Sequence, residues 1–282
     1  MSIRTITRIL PAQATQDGAG VHLLRALGHA QGTRLDPFLM LDAFSSDDPQ
    51  DYIAGFPAHP HRGFETVTYI VDGHMRHRDH LGNEGDLKAG GVQWMTAGRG
   101  IIHEEMPQQE NGLLRGFQIW LNLPAATKMQ PAHYRDIPAE SIPVAELSGG
   151  GFVKLIAGTL SVQDHELVGP EQGGATQPII ADISLAAGQS LDLPVPEGHQ
   201  AMVYAFEGSL ATKQGAVGSG HSVLLGDGSA LSMTAGEQGV RVLLLAGKPL
   251  NEPIAQYGPF VMNTQAEIEQ ALADYRDGVL AA

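Results

Sequence analysis

Short runs of β-branched and aromatic residues, bounded by glycine, proline or aspartate, recur along most of the chain. Successive side chains of a strand point to opposite faces, and apolar runs between turn residues predict buried or half-buried strands. Asp72-Gly73 ends one run, and this dipeptide predicts a hairpin turn into the next. The pattern predicts an all-β fold whose clearest strands are Val21–Leu27, Asp36–Phe44, Gly63–Gly73, Met75–Asp79, Val92–Met95, Arg115–Leu123, Phe152–Ala157, Ile179–Leu185, Met202–Phe206, Ser222–Leu225 and Val240–Ala246.

A helical pattern stands near the end of the sequence. Thr264 and Glu267 have the spacing of a capping box, and Gly278 provides a stop signal. Between them, apolar residues follow at helical intervals, namely Ile268, Ala271, Leu272 and Tyr275. We therefore expect one C-terminal helix on an otherwise β-rich chain.

The composition of the chain changes near residue 140. Four prolines between positions 124 and 143 precede the triplet Gly149-Gly150-Gly151, and the strand pattern resumes after it. We predict two domains, 1–140 and 141–282, each of ordinary size.

The two halves repeat one another at an offset of 135 residues. Val67–Gly73 falls on Met202–Gly208, and Gly91 falls on Gly226, with the same apolar rhythm. Both halves are therefore predicted to be copies of one β module. The histidines and carboxylates considered next are not repeated at this offset.

Composition and charge exclude several classes of protein. An apolar content of 43% predicts a sizeable core, and the absence of cysteine excludes disulfides and thiolate chemistry. The formal net charge of −14 argues against direct binding to nucleic acids or to anionic membranes. Arg4 and Arg8 are not followed by an apolar run, so no signal peptide is predicted and the expected location is the cytoplasm.

Two pairs of metal-binding residue types occur within one glycine-rich stretch, Phe56–Pro107. His59 and His61 are two residues apart, as are His103 and Glu105. Residues two apart on a strand share a face, so each pair can direct both side chains into one cavity. Imidazole and carboxylate together form a ligand set for first-row transition metals.

Each pair also has an ordinary interpretation. His59 and His61 could be loop histidines, and His103 and Glu105 a solvated strand end. Glu65 shares a face with His59 and His61 if no bulge intervenes, and would then be a fifth ligand or a partner of a ligand.

Other charged residues near the two pairs are interpreted more simply. The histidines of the predicted return strand and its turn, His74, His77 and His80, are taken as surface or structural residues. Arg62 and Arg99 could steer an acidic substrate, but structural ion pairing is the favoured interpretation.

Longer segments around the two pairs match known signatures. These segments are His59–Val67 (HPHRGFETV), Gln93–Pro107 (QWMTAGRGIIHEEMP), Asp36–Leu39 (DPFL) and Gly258–Thr264 (GPFVMNT). With these motifs the chain resembles the pirin family of the cupin superfamily over nearly its whole length. Thr96 stands where cupins in general have proline, but the four candidate ligands match the pirin pattern.

The resemblance implies a bicupin: two antiparallel β-barrel, jelly-roll-like domains, with metal bound only in the N-terminal one. Carried over by position, the metal ligands are His59, His61, His103 and Glu105, whereas Glu65 is usually not a ligand in pirins. One divalent transition metal ion per chain is expected. Iron is the favoured metal, and Mn, Co, Ni, Cu and Zn are the alternatives.

The resemblance also implies a function, because bacterial pirins are similar to quercetin 2,3-dioxygenases. We expect an oxidoreductase that opens a flavonol-type aromatic with O₂, with Glu105 as the catalytic base that takes the substrate's hydroxyl proton. One alternative is a non-catalytic, metal-dependent regulatory protein that binds a protein partner. Another is a cupin enzyme of different chemistry, such as an isomerase. The expected protein is a monomer.

Overall fold

The computed structural model describes residues 2–109 and 111–282. Its regular structure is mostly antiparallel strands, which confirms the all-β prediction. The strands of the first half are β1 (Ile6–Pro11), β2 (Gln13–Asp17), β3 (Val21–Leu27), β4 (Phe38–Ser46), β5 (Phe56–His61), β6 (Phe64–Asp72), β7 (His74–Asp79), β8 (Glu84–Lys88), β9 (Val92–Thr96), β10 (Ile101–Pro107), β11 (Leu114–Asn122) and β12 (His133–Ile137).

The second half continues in the same way. Its strands are β13 (Val144–Glu146), β14 (Gly151–Ala157), β15 (Thr159–Val162), β16 (His165–Val168), β17 (Ile179–Leu185), β18 (Ser190–Pro194), β19 (Gln200–Thr212), β20 (Gly215–Gly218), β21 (His221–Leu225), β22 (Ala230–Gly247), β23 (Ala255–Tyr257) and β24 (Phe260–Met262). The α-helix is α1 (Gln265–Arg276), and short 3₁₀ turns occupy Gln31–Thr33, Pro49–Asp51, Ala125–Thr127, Ala139–Ser141 and Gly174–Thr176.

The strands form two compact units. The first unit comprises Ala14–Arg34, Phe38–Ala139 and Leu250–Ala282, and the second comprises Met1–Gln13, Leu35–Pro37 and Glu140–Pro249. The predicted boundary near residue 140 stays a prediction. Two cupin domains with antiparallel sheets and a C-terminal helix agree with the bicupin expectation.

The first unit is built from two main sheets. One has seven strands in the order β12-β9-β6-β11-β4-β3-β2, and the other has four in the order β5-β10-β7-β8. Because the Thr68 hydroxyl on β6 lies 2.8 Å from the Glu105 carboxylate on β10, the two sheets face one another. The site described below lies between them.

The second unit contains a nine-stranded sheet whose main path is β1-β21-β19-β22-β17-β14-β13. Its longest strand, β22, pairs with β18 along its first part and with β17 along its last part, so the sheet bends over itself. One apolar cluster, running from Ala145 to Ala246, fills the interior.

Several predicted elements have the predicted bounds. β3 and β17 match the expected ranges Val21–Leu27 and Ile179–Leu185. The helix begins after Thr264, whose hydroxyl accepts a hydrogen bond from the Glu267 N–H while the Glu267 carboxylate accepts one from the Thr264 N–H. No helix in residues 2–109 and 111–282 is long and apolar enough to cross a membrane.

One condition and one expectation about β5, β6 and β7 fail. The shared face considered for His59, His61 and Glu65 does not form, because a turn at Gly63 (φ +92°) separates β5 from β6 and the two strands lie in different sheets. A Cβ at Gly63 would lie 2.0 Å from the Val261 carbonyl oxygen, so this turn requires glycine. The turn at Gly73 does not form a hairpin either, since β7 pairs with β10 and β8 instead of β6.

Candidate metal centre

Strand pairing brings the two halves of the predicted site together. β5 runs antiparallel to β10, with His59 opposite His103 and His61 opposite Ile101. The ligand-capable atoms of His59, His61 and His103 all lie within 4.8 Å of one another. Three imidazoles from two segments about forty residues apart in the chain therefore converge on one point.

The convergent nitrogens are buried without partners. His61 and His103 are 2% and 1% exposed. Both ring nitrogens of His61 and Nε2 of His103 make no hydrogen bond of standard geometry with any residue in the described ranges. Buried polar atoms are normally paired, so these atoms are suited to a group that the protein chain does not itself supply.

Burial keeps these two imidazoles neutral. Desolvation lowers the pKa of His61 well below its ordinary value, and His59 lowers it further, although the Pro259 backbone opposes the shift. Desolvation also lowers the pKa of His103, with further contributions from the neighbouring histidines. A neutral imidazole offers a lone pair to a metal ion, so the donor set fits a transition metal.

Local contacts orient the first two histidines. His59 Nδ1 lies 2.9 Å from the Pro57 carbonyl oxygen, so Nδ1–H donates to it and the lone pair is on Nε2. The His61 ring meets the rings of Phe64 and Trp120 edge-on, at centroid distances of 5.1 and 5.4 Å. The imidazoles are thereby held in position before any metal binds.

Glu105 lies beside this cluster. Along β10 the odd-numbered side chains are buried, which places Glu105 on the same face as His103. Its Oε1 accepts a hydrogen bond from the Thr68 hydroxyl at 2.8 Å, and its Oε2 accepts one from Gln118 Nε2 at 3.4 Å. The three atoms within 4.8 Å come from the histidines, so the role of Glu105 as a metal ligand stays a prediction.

Glu65 has a different environment from the one that a continuous strand would give it. It lies on β6 opposite Thr96 of β9, and its Oε1 accepts a hydrogen bond from the Thr96 hydroxyl at 2.6 Å. The turn at Gly63 removes the shared face on which the fifth-ligand idea depended. The expectation, implied by the resemblance, that Glu65 is not a ligand stays a prediction.

His77 is a residue of the site that the sequence analysis missed. It lies opposite Glu105 on β7, is 1% exposed, and its Nδ1 is 3.3 Å from Nδ1 of His103. Its other face stacks on the Tyr134 ring, at 4.8 Å and an interplanar angle of 13°. Alternation along β7, which buries Met75 and His77, is the signal that could have identified it.

Charged side chains fix the turn that follows His61. Arg62 donates to the Asp274 carboxylate at 2.6 Å, which agrees with the interpretation of Arg62 as a structural ion pair. Lys128 is 1% exposed, and its ammonium donates to the Gly63 carbonyl and to Asn122 Oδ1, both at 2.6 Å, and to the Val261 carbonyl at 3.1 Å. Arg99, by contrast, is exposed.

His59 and His61 line a cavity of about 590 Å³ that lies within the first unit. Its wall includes Glu105, Gln118, Asp42 and Arg25. Much of the remaining wall is apolar and includes Leu23, Leu39, Met40, Phe44, Phe56 and Trp120. A volume of this size with a few polar groups is typical of a site for a small molecule.

Family models match both halves of the chain. The model described as Pirin matches residues 20–121, and the model described as Pirin C-terminal cupin domain matches residues 180–281. The first match contains all four candidate ligands.

Known proteins match over the full length. A Pseudomonas aeruginosa protein named "Putative quercetin 2,3-dioxygenase" is 52% identical over 282 residues, covering 99% of this chain and 98% of that protein. A "Pirin-like protein" of Caulobacter vibrioides is 45% identical over 278 residues, covering 99% of each.

A solved structure agrees with these sequence matches. A crystal structure of quercetin 2,3-dioxygenase from Acinetobacter baumannii superposes with a TM-score of 0.91 at 34% identity, covering 100% of this chain and 99% of that one. The matched segments, the full-length relatives and the shared fold lead to one conclusion: the chain belongs to the pirin family.

Proposed function

We propose that the protein is a metal-dependent dioxygenase that opens a flavonol-type aromatic with O₂. The observation that carries this proposal is the convergence of three imidazoles, two of them buried and neutral, beside a largely apolar cavity. The names of the Pseudomonas aeruginosa relative and the Acinetobacter baumannii structure support the same reaction.

In the proposed site, His59, His61, His103 and Glu105 hold one divalent transition metal ion. Such an ion supplies Lewis acidity and access to O₂ chemistry when it is bound. Iron remains the favoured metal, as the resemblance implies, and Mn, Co, Ni, Cu and Zn remain the alternatives.

The residues of the chain perform the remaining tasks. The apolar wall holds the aromatic rings and excludes water, which strengthens polar interactions at the reacting end. Glu105 accepts the proton of the substrate's hydroxyl group, which leaves an electron-rich enolate for oxidation. Thr68 and Gln118 hold the carboxylate in place through the hydrogen bonds described above.

Oxygen consumption tests the proposal. Protein loaded separately with Fe, Mn, Co, Ni or Cu is mixed with quercetin, and O₂ uptake and ring-opened product are measured. We expect turnover with at least one metal and its loss in His61→Ala, while a His74→Ala variant on the exposed side of β7 retains it. Absence of turnover with every metal would contradict the proposal and favour the regulatory alternative.

A further inference from the structure

A row of polar side chains crosses the seven-stranded sheet at one level. Arg25 lies opposite Asp42, Asp42 opposite Gln118, and Gln118 opposite Thr68. Directly opposed residues of antiparallel strands have their side chains on the same face. The face is the one turned towards the metal centre, because Thr68 and Gln118 both bond Glu105.

The spacing of the strands gives the length of this row. Neighbouring strands lie about 4.8 Å apart, so Arg25, two strands beyond Gln118, is roughly 10 Å from it. Arg25, Asp42 and Gln118 all line the cavity. The cavity wall therefore carries a polar row that begins at Glu105 and Gln118, passes Asp42 one strand away and ends at Arg25 two strands away. Two linked aromatic rings span the length of this row.

Arg25 and Asp42 form a rigid pair at the remote end. Arg25 Nε and Nη2 donate to the two carboxylate oxygens of Asp42 at 2.8 and 2.7 Å, and Asp42 is only 2% exposed. This bidentate arrangement leaves Nη1 of the guanidinium as a donor and the outer lone pairs of the carboxylate as acceptors. A hydroxyl group both donates and accepts, so it complements the pair.

The local charge favours a hydroxyl over a carboxylate at this end. Arg25 is also within 3.3 Å of Asp17, so two carboxylates surround one guanidinium. A ligand carboxylate placed here would meet a positive charge that is already neutralised, together with two like charges. A neutral phenol avoids that repulsion and still makes hydrogen bonds to charged partners.

We propose that Arg25 and Asp42 form a subsite that binds a phenolic hydroxyl on the ring remote from the reacting oxygen. The cavity then selects neutral aromatics with a hydroxyl at that end and rejects analogues with none or with a carboxylate there. This inference rests on the proposed function only in that the opposite end of the ligand lies at the histidines and Glu105.

Binding without oxygen tests the subsite separately from catalysis. Under nitrogen, dissociation constants for metal-loaded protein are measured from quenching of Trp fluorescence, since Trp120 lines the cavity. The probes are flavonols that differ only on the pendant ring: quercetin with two hydroxyls, kaempferol with one, galangin with none, and an analogue with a carboxylate. Since a hydrogen bond to a charged group is involved, we expect galangin and the carboxylate analogue to bind about tenfold or more weakly than kaempferol.

Variants assign the selectivity to the pair. In Asp42→Asn, we expect the dissociation constants of galangin and kaempferol to differ by less than about threefold. The matched control is Asp182→Asn in the second unit, which removes another buried aspartate paired with an arginine, at 2.9 and 2.6 Å from Arg241, and which is not part of the cavity wall. The control should keep the wild-type ratio.

The outcomes separate this inference from the proposed function. Selective binding of the hydroxylated flavonols without O₂ uptake would support the subsite and contradict the dioxygenase. Turnover of quercetin with equal affinity for galangin would overturn the subsite and leave the dioxygenase intact. Because the ligand series in the wild-type protein already decides between these results, the test does not depend on Asp42→Asn folding normally.

Discussion

The two units share an order of strands, but the interior of the first is partly polar and contains the histidines, whereas the interior of the second is apolar. Reading along the sheets, β9-β6-β11-β4-β3 in the first unit corresponds to β21-β19-β22-β17-β14 in the second. In the first unit the pairing of β5 with β10 places His59 opposite His103, whereas the pairing of β18 with β22 in the second unit places Leu193 opposite Leu231. The same pattern of pairing thus supports a metal centre in one unit and a leucine-rich core in the other.

The cross-strand row shows the difference most clearly. The repeat offset of 135 places Val203 at the position of Thr68. Strand pairing extends this position into a row of four opposed residues, and each is in the apolar core: Leu155, Ala181, Leu244 and Val203. The corresponding row of the first unit is Arg25, Asp42, Gln118 and Thr68. The fold is therefore compatible with either interior, and the inward side chains determine whether a unit has a site.

Removing one histidine should make the first unit resemble the second in metal binding. His61→Leu places an apolar side chain in the aromatic cage of Phe64 and Trp120 and removes a central imidazole. We expect metal affinity to fall by more than ~100-fold, beyond the usual effect of changing a residue that supports a ligand. Metal content after dialysis against a chelator measures this, with His221→Leu of the second unit as control. Retention of stoichiometric metal by His61→Leu would disprove the assignment of the site.

Truncation at equivalent positions of the two rows should have unequal effects on stability. Leu244→Ala leaves a cavity in a packed core and should lower the free energy of unfolding by about 2–5 kcal/mol. Gln118 borders an existing cavity, and Gln118→Ala removes its hydrogen bonds, so we expect the free energy of unfolding to fall by about 1 kcal/mol. Urea unfolding followed by circular dichroism compares the two. Equal losses would show that the first unit is packed as tightly as the second.

The sequence predicted elements whose pattern is local. β3, β17 and the capped helix were predicted with correct or nearly correct bounds, because apolar runs and a capping box are contained in a few adjacent residues. β5 was not predicted as a strand, since Pro57 and Pro60 lack the N–H of a normal ladder. The equivalence of Gly91 and Gly226 was wrong: Gly91 precedes β9, whereas Gly226 follows β21.

Only the candidate ligands of the site could be predicted from the sequence. The His59/His61 and His103 motifs are recognisable in the sequence, and the structure brings them together. The partners of these residues come from distant segments: Arg25, Asp42 and Gln118 become neighbours only through the pairing of β3, β4 and β11. His77 was grouped with His74 and His80 as a surface or structural residue, whereas the alternation of side chains along β7 buries it.

The first unit also buries an ammonium beside its site, and this should give it a distinctive pH dependence. Desolvation lowers the pKa of Lys128 from 10.5 to about 8. Between these values the unfolded chain keeps a proton that the folded protein has lost, so stability rises with pH across this window. The shift corresponds to about 3 kcal/mol.

Comparison with Lys128→Met isolates this contribution. Urea unfolding at pH 8 and pH 10.5 is measured for both proteins, so that other groups titrating in this range cancel. The difference in unfolding free energy, wild type minus variant, should increase between the two values. A constant difference would mean that the three oxygens around Lys128 hold the ammonium charged throughout.

The smallest expected effect concerns His77, whose Nδ1 lies beside Nδ1 of the candidate ligand His103. If His103 binds metal through Nε2, its Nδ1–H must donate to Nδ1 of His77, 3.3 Å away. His77→Phe keeps a ring that can stack on Tyr134 but removes the acceptor, so metal affinity should fall about 10- to 100-fold.

Chelator competition with Co²⁺ measures the affinity, and the visible spectrum of bound Co²⁺ reports on the geometry of the site. His77→Gln, whose amide oxygen can accept the same hydrogen bond, should recover part of the loss, and His74→Phe on the same strand should have wild-type affinity. A loss in His77→Phe that His77→Gln does not recover would indicate that His77 acts through packing alone. The assignment of Nε2 as the ligand atom of His103, which rests on the hydrogen bond to His77, would then be wrong. The convergence of the three histidines would be unaffected.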